Sequence, residues 1–535
     1  MPRASTLFHP RTKYLLLCGA LGALSAPAAA ADLAAELAAL SRGHPVAGEA
    51  IKAPALVAKL YGATPKPLWT AATLASLNTA IAQAPEDGLL PQDYFAKTLS
   101  RGDLDPASRD VLATEALIRL AYSLRFGKIN PAVLDPNWNY SRRLDGIDPV
   151  GWIRATLAAG DLPKALAEIR PDGQYYTGLR QALADYRAIA APGGWQPVAA
   201  GPTLKPAMND PRVPALRGRL RAEKLLGAGG EGDHYDAALA AGVMSFQRRQ
   251  GLSPDGVLGP ATLAVLNVPV AARVATLRLN LERLRWVFRD LTPEFVVVNV
   301  AGFEAAYVKQ GATRWAGRAI VGKPFRQTPL FRAQIAYLEF NPTWTVPPTI
   351  LRQDMLPKIR ADRHYLQQKN LEVIDGGGKV IDPARVDWQR FAYTLRQKSG
   401  PTNALGQVKF MFPNQHSVYL HDSPARELFA QTERAFSSGC IRVERPLALA
   451  EALLQDSSQW NQAAIAAVVA QGRTTRVNLP HKVPVMLVYL TAFPAPDGAP
   501  QFRHDLYGRD PVRLRALDGP FALAAPEDYA DAGIR

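Results

Sequence analysis

The sequence predicts a multidomain α+β protein in which helical units precede a β-rich domain with a partly helical insertion. Residues 32–200 alternate Ala- and Leu-rich stretches with turns, and apolar residues such as Leu117, Leu120 and Leu124 recur at helical spacing. After about residue 278, β-branched runs such as FVVVNV and VPVMLVYLTAF replace that pattern, which is typical of strands. The Pro- and Gly-rich stretch APGGWQPVAAGPTLKP lies between these regions and indicates a linker.

Composition limits the class of protein and the kind of partner. The chain has 535 residues, 48% of them hydrophobic and 20% charged, which is typical of soluble domains with apolar cores. Its net charge of +15 suits an anionic partner such as nucleic acid, a membrane or a cell wall, although many exported proteins are simply basic. No RRM, zinc-finger or helix-turn-helix signature is present, so nucleic acid is not expected.

The N-terminus has the pattern of a secretory signal peptide, assigned to residues 1–31. Three basic residues precede the apolar run YLLLCGALGAL, and APAAAAD offers small residues for cleavage near Ala30 or Ala31. We therefore expect a periplasmic protein, with an uncleaved membrane anchor as the alternative. Cleavage would remove Cys18 and leave Cys440 as the single cysteine, which cannot form an internal disulfide.

Cys440 is either a buried, inert thiol or a nucleophile, and its neighbours favour the nucleophile. It follows Gly439 in SSGCIRV, while His421 ends the strand-like segment VYLHD. Imidazole is the usual base that activates a cysteine, and pairing with it is expected to lower the thiol pKa. Gly439 would permit a tight turn that presents peptide N–H groups to an oxyanion. His416 is the alternative base, although in a regular strand it would face away from His421.

The segments YLHDSP and SSGCIRV together resemble the catalytic signature of the bacterial L,D-transpeptidases of the YkuD-domain family. The resemblance extends to LRLNLERLRWV, IVGKPFRQTPLF and FNPTWTVPPTILRQDMLPK, and it implies the large periplasmic form with a substrate-capping insertion. Many members carry His immediately before Gly-Cys, where this chain has Ser438. Residues 205–270 are similar to a three-helix peptidoglycan-binding domain at Phe246-Gln247, Gly251-Leu252, Asp255-Gly256, Gly259, Thr262 and Leu266-Asn267.

The resemblance implies roles for residues of the site. Cys440 would be the nucleophile, His421 the general base and later acid, and the backbone of Ser438, Gly439 and Cys440 the oxyanion-binding group. Arg442 would position the substrate or the loop, or else form a structural ion pair with Glu444 or another carboxylate.

Four residues are candidates for substrate binding. Asp422 is expected to lie beside His421 and could orient its imidazole through the backbone carbonyl. Trp344 would line the cleft, although a core tryptophan is more common. Phe246 and Asp255 are candidates within the peptidoglycan-binding unit. Neither a metal nor a cofactor is expected, because HExxH, Cys/His-finger and P-loop spacings do not occur.

The implied reaction is transpeptidation that joins two third-position diaminopimelate residues of peptidoglycan tetrapeptide stems, which serve as donor and acceptor. It would proceed through a Cys440 thioester, and carbapenems would be inhibitors. The alternatives are L,D-carboxypeptidase hydrolysis or protein attachment at the same site, or a non-catalytic wall-binding protein. Other wall-synthesis proteins are conceivable partners.

The predicted division of the chain follows from these patterns. It consists of a signal peptide at 1–31, a helical scaffold domain at 32–200, a peptidoglycan-binding domain at 205–270, a catalytic domain at 278–492 with an insertion at about 346–405, and a C-terminal extension at 493–535.

Overall fold

The computed structural model describes residues 25–289 and 291–534, so most of the expected signal peptide, including Cys18, lies outside the described residues. The N-terminal domain is helical, as the sequence predicts. Its helices are α1 (Ser25–Ser41), α2 (Pro54–Tyr61), α3 (Ala71–Gln83), α4 (Ala96–Leu99), α5 (Pro106–Phe126), α6 (Pro149–Ala159), α7 (Leu162–Ile169) and α8 (Gln174–Ala190). Helix α5 is the centre of this domain, because apolar residues such as Leu117 and Leu120 are buried on several of its sides.

A compact three-helix unit follows, with its own apolar core. It contains α9 (Val213–Ala222), α10 (Ala237–Arg249) and α11 (Pro260–Leu266). Asp236 caps α10 by accepting a hydrogen bond from the Leu239 amide, and Pro260 occupies the first turn of α11. The sequence predicts all three helices, but α9 ends at Ala222, before the predicted RAEKLLG segment is complete.

Helix α12 (Val270–Val287) joins the three-helix unit to the β-rich domain and packs against α8. Its inward face carries a fully buried ion pair, in which Arg285 lies 2.6 Å from Glu282. Arg285 also donates to the Asp87 carbonyl and the Tyr176 hydroxyl, both in the N-terminal domain. The predicted start of the catalytic region, residue 278, therefore falls inside a continuous helix shared with the preceding units.

The β-rich domain is built around one strongly curved sheet. Its strands are β1 (Glu294–Asn299), β2 (Glu304–Lys309), β3 (Ala312–Gly322), β4 (Arg332–Phe340), β9 (Val408–Met411), β10 (Leu420–His421), β11 (Ala435–Ser437), β12 (Ile441–Val443) and β13 (Thr475–Val488). The order among described residues is β11-β3-β12-β10-β9-β4-β13-β1-β2, and β2 also pairs with β3. The sheet thus closes on itself, which leaves few unpaired strand edges.

One face of this sheet forms the apolar core. Leu338, Phe410, Leu420 and Ile441 are fully buried there, together with residues of α16 (Pro446–Leu454). Helix α17 (Gln462–Ala470) adds Ile465 to the same cluster. Because side chains alternate between faces, the residues between these positions point to the opposite side.

The insertion between β4 and β9 is partly helical, as predicted. It contains β5 (Trp344–Thr345), α13 (Pro348–Ile350), a π-helical turn (Leu351–Met355), α14 (Leu356–Ala361), α15 (His364–Gln368), β6 (Leu371–Ile374), β7 (Val380–Ile381) and β8 (Thr394–Gln397). These strands form a small sheet in the order β5-β8-β6-β7, and the Gly-rich segment makes the turn between β6 and β7. The insertion has its own apolar core around Ile359, Val373 and Leu395.

The C-terminal segment returns to the first domain. It forms the hairpin β14 (Ala492–Pro494) and β15 (Pro500–Phe502), then α18 (Asp510–Asp518). The predicted start of the extension, residue 493, lies within β14. Beyond α18, the Asp528 carboxylate accepts hydrogen bonds from the amides of Leu144 and Asp145.

The multidomain α+β fold class is therefore confirmed. No single helix in the described ranges is long and apolar enough to cross a membrane. One pair bent by 79°, Pro260–Leu266 with Val270–Val287, satisfies length and composition only when its two members are taken together.

Candidate active site

Strand register brings His421 and Cys440 to the same face of the sheet. Strand β10 pairs in parallel with β12, with Leu420 opposite Ile441 and His421 opposite Arg442. The Ile441 amide donates to the Tyr419 carbonyl, which extends the ladder to the Tyr419–Cys440 level. Since Leu420 and Ile441 point into the core, Tyr419, His421, Cys440 and Arg442 belong to the opposite face. The predicted nucleophile and base are thus diagonal neighbours on adjacent strands.

The His421 imidazole is buried and electrically neutral at physiological pH. Burial, together with the nearby cations Arg442 and Lys409, lowers its pKa to about 3. The backbone carbonyls of Asp422 and Leu405 act in the opposite direction, because they favour a protonated ring. The His421 Nδ1 atom is buried and makes no regular hydrogen bond. A neutral ring can accept a proton, as a general base must.

The Cys440 thiol is held in its protonated form at rest. Burial raises its pKa, and contacts with Tyr419, Lys409 and Arg442 only partly offset that effect. The Sγ atom donates a weak hydrogen bond to the Ser417 carbonyl at 3.8 Å. The expectation that pairing with histidine lowers the resting thiol pKa is therefore wrong for this conformation. Desolvation of the sulfur outweighs the neighbouring positive charge, and the imidazole is itself uncharged.

Arg442 supplies a positive charge to this face without a carboxylate partner. Its Nε atom is buried and unpartnered, and among the described residues its guanidinium forms no ion pair. Glu444 pairs instead with Arg318, at 2.5 Å. The alternative interpretation of Arg442 as a structural partner of Glu444 is therefore wrong. Burial lowers the Arg442 pKa, and the Cys440 sulfur raises it, so a thiolate would stabilise this cation.

The loop before Cys440 is held by two hydroxyl groups that sequence reasoning missed. The Ser437 hydroxyl donates to the Cys440 carbonyl at 2.6 Å and accepts from the Gly439 amide at 3.1 Å. The Thr328 hydroxyl donates to the Gly439 carbonyl at 2.9 Å. Gly439 has a φ of +117°, which favours glycine. This fits the predicted tight turn.

The same contacts refine the predicted oxyanion-binding group. The Gly439 N–H is committed to Ser437, so it is not available to a substrate in this conformation. The amides of Ser438 and Cys440, in contrast, donate to no acceptor within the described part of the chain. These two amides remain candidates for binding a developing oxyanion.

The insertion is connected to the cysteine loop by Arg326, another residue that the sequence did not single out. Arg326 donates to the Ser438 hydroxyl at 3.0 Å and to Asp354 of the insertion at 2.6 Å. Asp354 lies in the π-helical turn, a type of element often found at functional sites. Arg326 therefore bridges the two segments, with an ion pair to the insertion and a hydrogen bond to the cysteine loop.

Trp344 is half-buried beside Tyr419, on the face that carries Cys440, and its predicted contact with substrate stays a prediction. Burial first, and then contact with Cys440, raises the pKa of the Tyr419 hydroxyl, whereas Trp344 lowers it. The Lys409 Nζ atom lies 4.5 Å from the centre of the Tyr419 ring. The alternation Tyr-x-His in VYLHD could have indicated that Tyr419 shares the face of His421.

Three other predicted positions are placed differently. Asp422 is buried, and its carboxylate accepts from the Gln407 amide, so its side chain cannot bind substrate, although its carbonyl does face the imidazole. Phe246 is fully buried in the core of the three-helix unit and cannot contact a ligand directly. Asp255 accepts from Gln247 and from the Val257 amide, so it stabilises its own turn, and its predicted role in binding is unsupported.

His416, the alternative base, lies in the turn before β10 rather than in a strand, so the argument from strand alternation does not apply to it. Its half-buried ring packs 4.9 Å from the Phe331 ring. Across the described ranges, no group of three or more His, Cys, Asp or Glu side chains could hold a metal ion.

Comparisons with known proteins agree with the domain pattern. A YkuD family model described as "L,D-transpeptidase catalytic domain" matches residues 293–478. A model described as "Scaffold domain" matches 55–183, and one described as "Putative peptidoglycan binding domain" matches 209–266.

A curated Haemophilus influenzae protein, described as "Putative L,D-transpeptidase", is 36% identical over 241 residues, which are 44% of this chain and 48% of that protein. The alignment thus spans about half the length of this curated relative.

Solved structures with detectable similarity include two L,D-transpeptidases. One, from Xylanimonas cellulosilytica, is 16% identical, with a TM-score of 0.19 over 54% of this chain and 98% of that one. L,D-transpeptidase 1 of Mycobacterium tuberculosis is 12% identical, with a TM-score of 0.15 over 37% and 61%. TM-scores this low do not establish a shared fold. The family models and the curated relative instead show that the chain carries a YkuD-family L,D-transpeptidase catalytic domain together with scaffold and peptidoglycan-binding domains.

Proposed function

We propose that this protein is a periplasmic L,D-transpeptidase that links two third-position diaminopimelate residues of peptidoglycan through a thioester on Cys440. The observation that carries the proposal is the placement of Cys440, neutral His421 and unpaired Arg442 on one face of β10 and β12. The catalytic and peptidoglycan-binding domains support the substrate class.

The acylation step uses these groups in a defined order. The Cys440 Sγ atom attacks the carbonyl carbon between the L-centre of diaminopimelate and the terminal D-Ala of a donor stem. His421 accepts the thiol proton as the C–S bond forms, which compensates for the raised thiol pKa. The amides of Ser438 and Cys440 are the donors assigned to the oxyanion. When the C–N bond breaks, the imidazolium protonates the departing amine of D-Ala.

The second step transfers the acyl group. The side-chain amine of an acceptor stem attacks the thioester carbonyl, His421 takes the amine proton, and the thiol is restored as the new amide forms. Attack by water would release a shortened stem instead, and attack by a protein amine would attach that protein. The insertion is tied to the cysteine loop by Arg326, and by covering the site it would disfavour attack by water.

Arg442 is assigned to an anionic group of the donor. Removing a guanidinium from water without a partner is costly, so a buried and unpaired Arg is expected to gain a partner when the ligand binds. The departing D-Ala carries a free carboxylate, which fits this charge.

Mass analysis of products from a purified disaccharide-tetrapeptide tests the proposal. Wild-type protein should release D-Ala and yield a cross-linked dimer, whereas Cys440→Ala and Cys440→Ser should yield neither while retaining the wild-type circular dichroism spectrum. Hydrolysed tripeptide alone would indicate carboxypeptidase activity. Dimer formation at the normal rate by either variant would exclude the thioester route.

A further inference from the structure

A large cleft in the described part of the chain has neither Cys440 nor His421 in its lining. It has a volume of about 1330 Å³ and lies between the three-helix unit, the β1–β3 edge, the segment preceding β11 and the segment following β15. Single small-molecule sites usually occupy about 300–1,000 Å³, so this cleft is large enough for an extended ligand. Nothing in the catalytic proposal uses it.

The cleft carries two arginines that form no ion pair within the described part of the chain. Arg434 donates to the carbonyls of Phe303, Ala319 and Gln431, but it has no carboxylate partner. Arg503 donates to the Arg249 carbonyl and to the Gln501 side chain, also without a carboxylate. Carbonyl oxygens satisfy the N–H donors and leave the positive charge in place.

Burial lowers the pKa of both Arg434 and Arg503. Burial, followed by repulsion from Arg318 and Arg503, lowers the pKa of Arg434 to about 10. Glu304 attracts both Arg434 and Arg503, but burial raises its pKa, and it forms no ion pair with either. Of the other lining acids, Glu444 pairs with Arg318, and Asp510 pairs with Arg283. Asp505 accepts from the Tyr489 hydroxyl and the Arg509 amide, and Glu433 is exposed. Among the described residues, Arg434 and Arg503 therefore line the cleft without an ion-paired carboxylate.

Two buried polar atoms on cleft-lining residues also lack partners. The Oε1 atom of Gln250 and the Nε atom of Arg273 form no hydrogen bond, although each residue is only 7% exposed. Aromatic rings lie beside the polar groups, since Tyr175 and Phe303 line the same cleft. Buried donors and acceptors without partners are costly, so their presence favours a ligand that completes them.

We infer that this cleft is a second binding site for the wall polymer, which takes a stem-peptide carboxylate on Arg434 and Arg503 and the adjoining sugar against Tyr175 and Phe303. The inference rests on the proposed peptidoglycan substrate and names a site separate from the catalytic face. Arg434 immediately precedes β11 and the loop of Cys440. A strand held here would therefore contact the segment that carries the nucleophile.

A fluorophore placed in the cleft can test this inference without reporting on the catalytic face. In a full-length Cys18→Ser/Cys440→Ser background, Ser253→Cys introduces one thiol at the exposed rim of the cleft. Labelled with an environment-sensitive dye, it would be titrated with a soluble disaccharide-tetrapeptide. We expect a saturable change in emission.

Charge removal supplies the matched controls. Arg503→Gln should weaken binding about tenfold or more, because charge-assisted hydrogen bonds are among the stronger polar contacts. Arg101→Gln, on the surface of the N-terminal domain, should change it less than about twofold. If Arg503→Gln does not fold, the labelled protein with Arg503 intact is titrated with a disaccharide-tetrapeptide whose carboxylates are amidated. This ligand should bind about tenfold more weakly than the unmodified one.

The outcomes separate this inference from the proposed function. The second site is overturned if no saturable signal appears, or if the affinity is changed neither by Arg503→Gln nor by amidation of the ligand. This holds even if wild-type protein forms cross-links. Conversely, a charge-dependent signal would uphold the site even if the Cys440 products proved to be those of hydrolysis.

Discussion

The buried neutral state of His421 predicts a specific acid sensitivity of the catalytic sheet. An exposed histidine in the unfolded chain has a pKa of about 6.5, whereas burial and two cations hold the native pKa at about 3. Between these values the unfolded state binds more protons, so the free energy of unfolding must fall as pH falls through the window from about 6.5 to 3. The stability that the neutral His421 contributes is fully present above the pKa of the unfolded chain, about 6.5, and is lost as pH falls.

The magnitude follows from the two pKa values. At pH 5 almost all unfolded chains carry a protonated imidazole while native chains do not, so this group alone costs about 2 kcal/mol relative to pH 8. The result hardly changes if the native pKa is one unit higher, because the unfolded pKa dominates at pH 5. Most carboxylates remain ionised across this range, which makes the effect separable from general acid denaturation.

Hydrogen exchange of peptides covering β9, β10 and β12 measures the stability of this sheet separately from the helical domains. From pH 8 to pH 5, wild-type protein should lose about 2 kcal/mol more than His421→Gln, which has no group to titrate. His416→Gln, with a half-buried ring in the preceding turn, is the matched control and should follow the wild type. Parallel profiles for wild type and His421→Gln would refute the buried-neutral assignment.

Four further predictions address the nucleophile, the loop, the core and the wall-binding unit. Carbapenem acylation of Cys440, measured by intact mass, should be about 10² to 10⁴-fold slower in His421→Ala than in wild type. The defect should shrink only at alkaline pH, because burial raises the pKa of the Cys440 thiol. Equal acylation rates at neutral pH would show that His421 is not the base. Gly439→Ala should lower the free energy of unfolding in urea by about 1–2 kcal/mol and slow acyl transfer, because φ at this position is +117°. Steric contact is not the cause, since the new methyl group would meet only the Gln327 carbonyl, at 3.6 Å. An unchanged rate of acyl transfer would contradict a strained turn. Phe410→Ala should cost about 3–5 kcal/mol, whereas Phe325→Ala, 76% exposed, should have little effect in the same melt, and similar losses would be inconsistent with this core. Residues 208–270, which contain a separate core, should sediment with purified peptidoglycan in a saturable manner, and salt-sensitive binding without saturation would reduce the interaction to charge.

The elements that the sequence predicted well are those with strong local signals. Helices α5, α8 and α10 have apolar residues at regular helical spacing, and strands β1 and β13 contain β-branched runs. Two predicted boundaries, at residues 278 and 493, fall inside α12 and β14, which are continuous elements. A change in residue composition along the chain indicates a change of secondary structure, but it does not show which apolar core a helix or strand joins.

The site shows the same division between local and long-range information. The glycine before Cys440 and the histidine of VYLHD were evident because each is required by local chemistry. The roles of Ser437, Thr328 and Arg326 were not evident, since their partners lie in other segments. Phe246 was assigned to binding from a pattern, yet that pattern records the packing of the three-helix unit.

The sequence by itself indicated the order of the domains and the candidates for nucleophile and base, because periodicity and reactive residue types are local properties. Only the tertiary structure decided that burial raises the pKa of Cys440, that Arg442 forms no ion pair among the described residues and that a large cleft with two arginines lacking ion pairs lies away from Cys440. It also decided that the C-terminal segment packs against the first domain, through Asp528 and Leu144. Desolvation, charge pairing and interdomain packing depend on residues hundreds of positions apart, and spacing along the chain does not encode those distances.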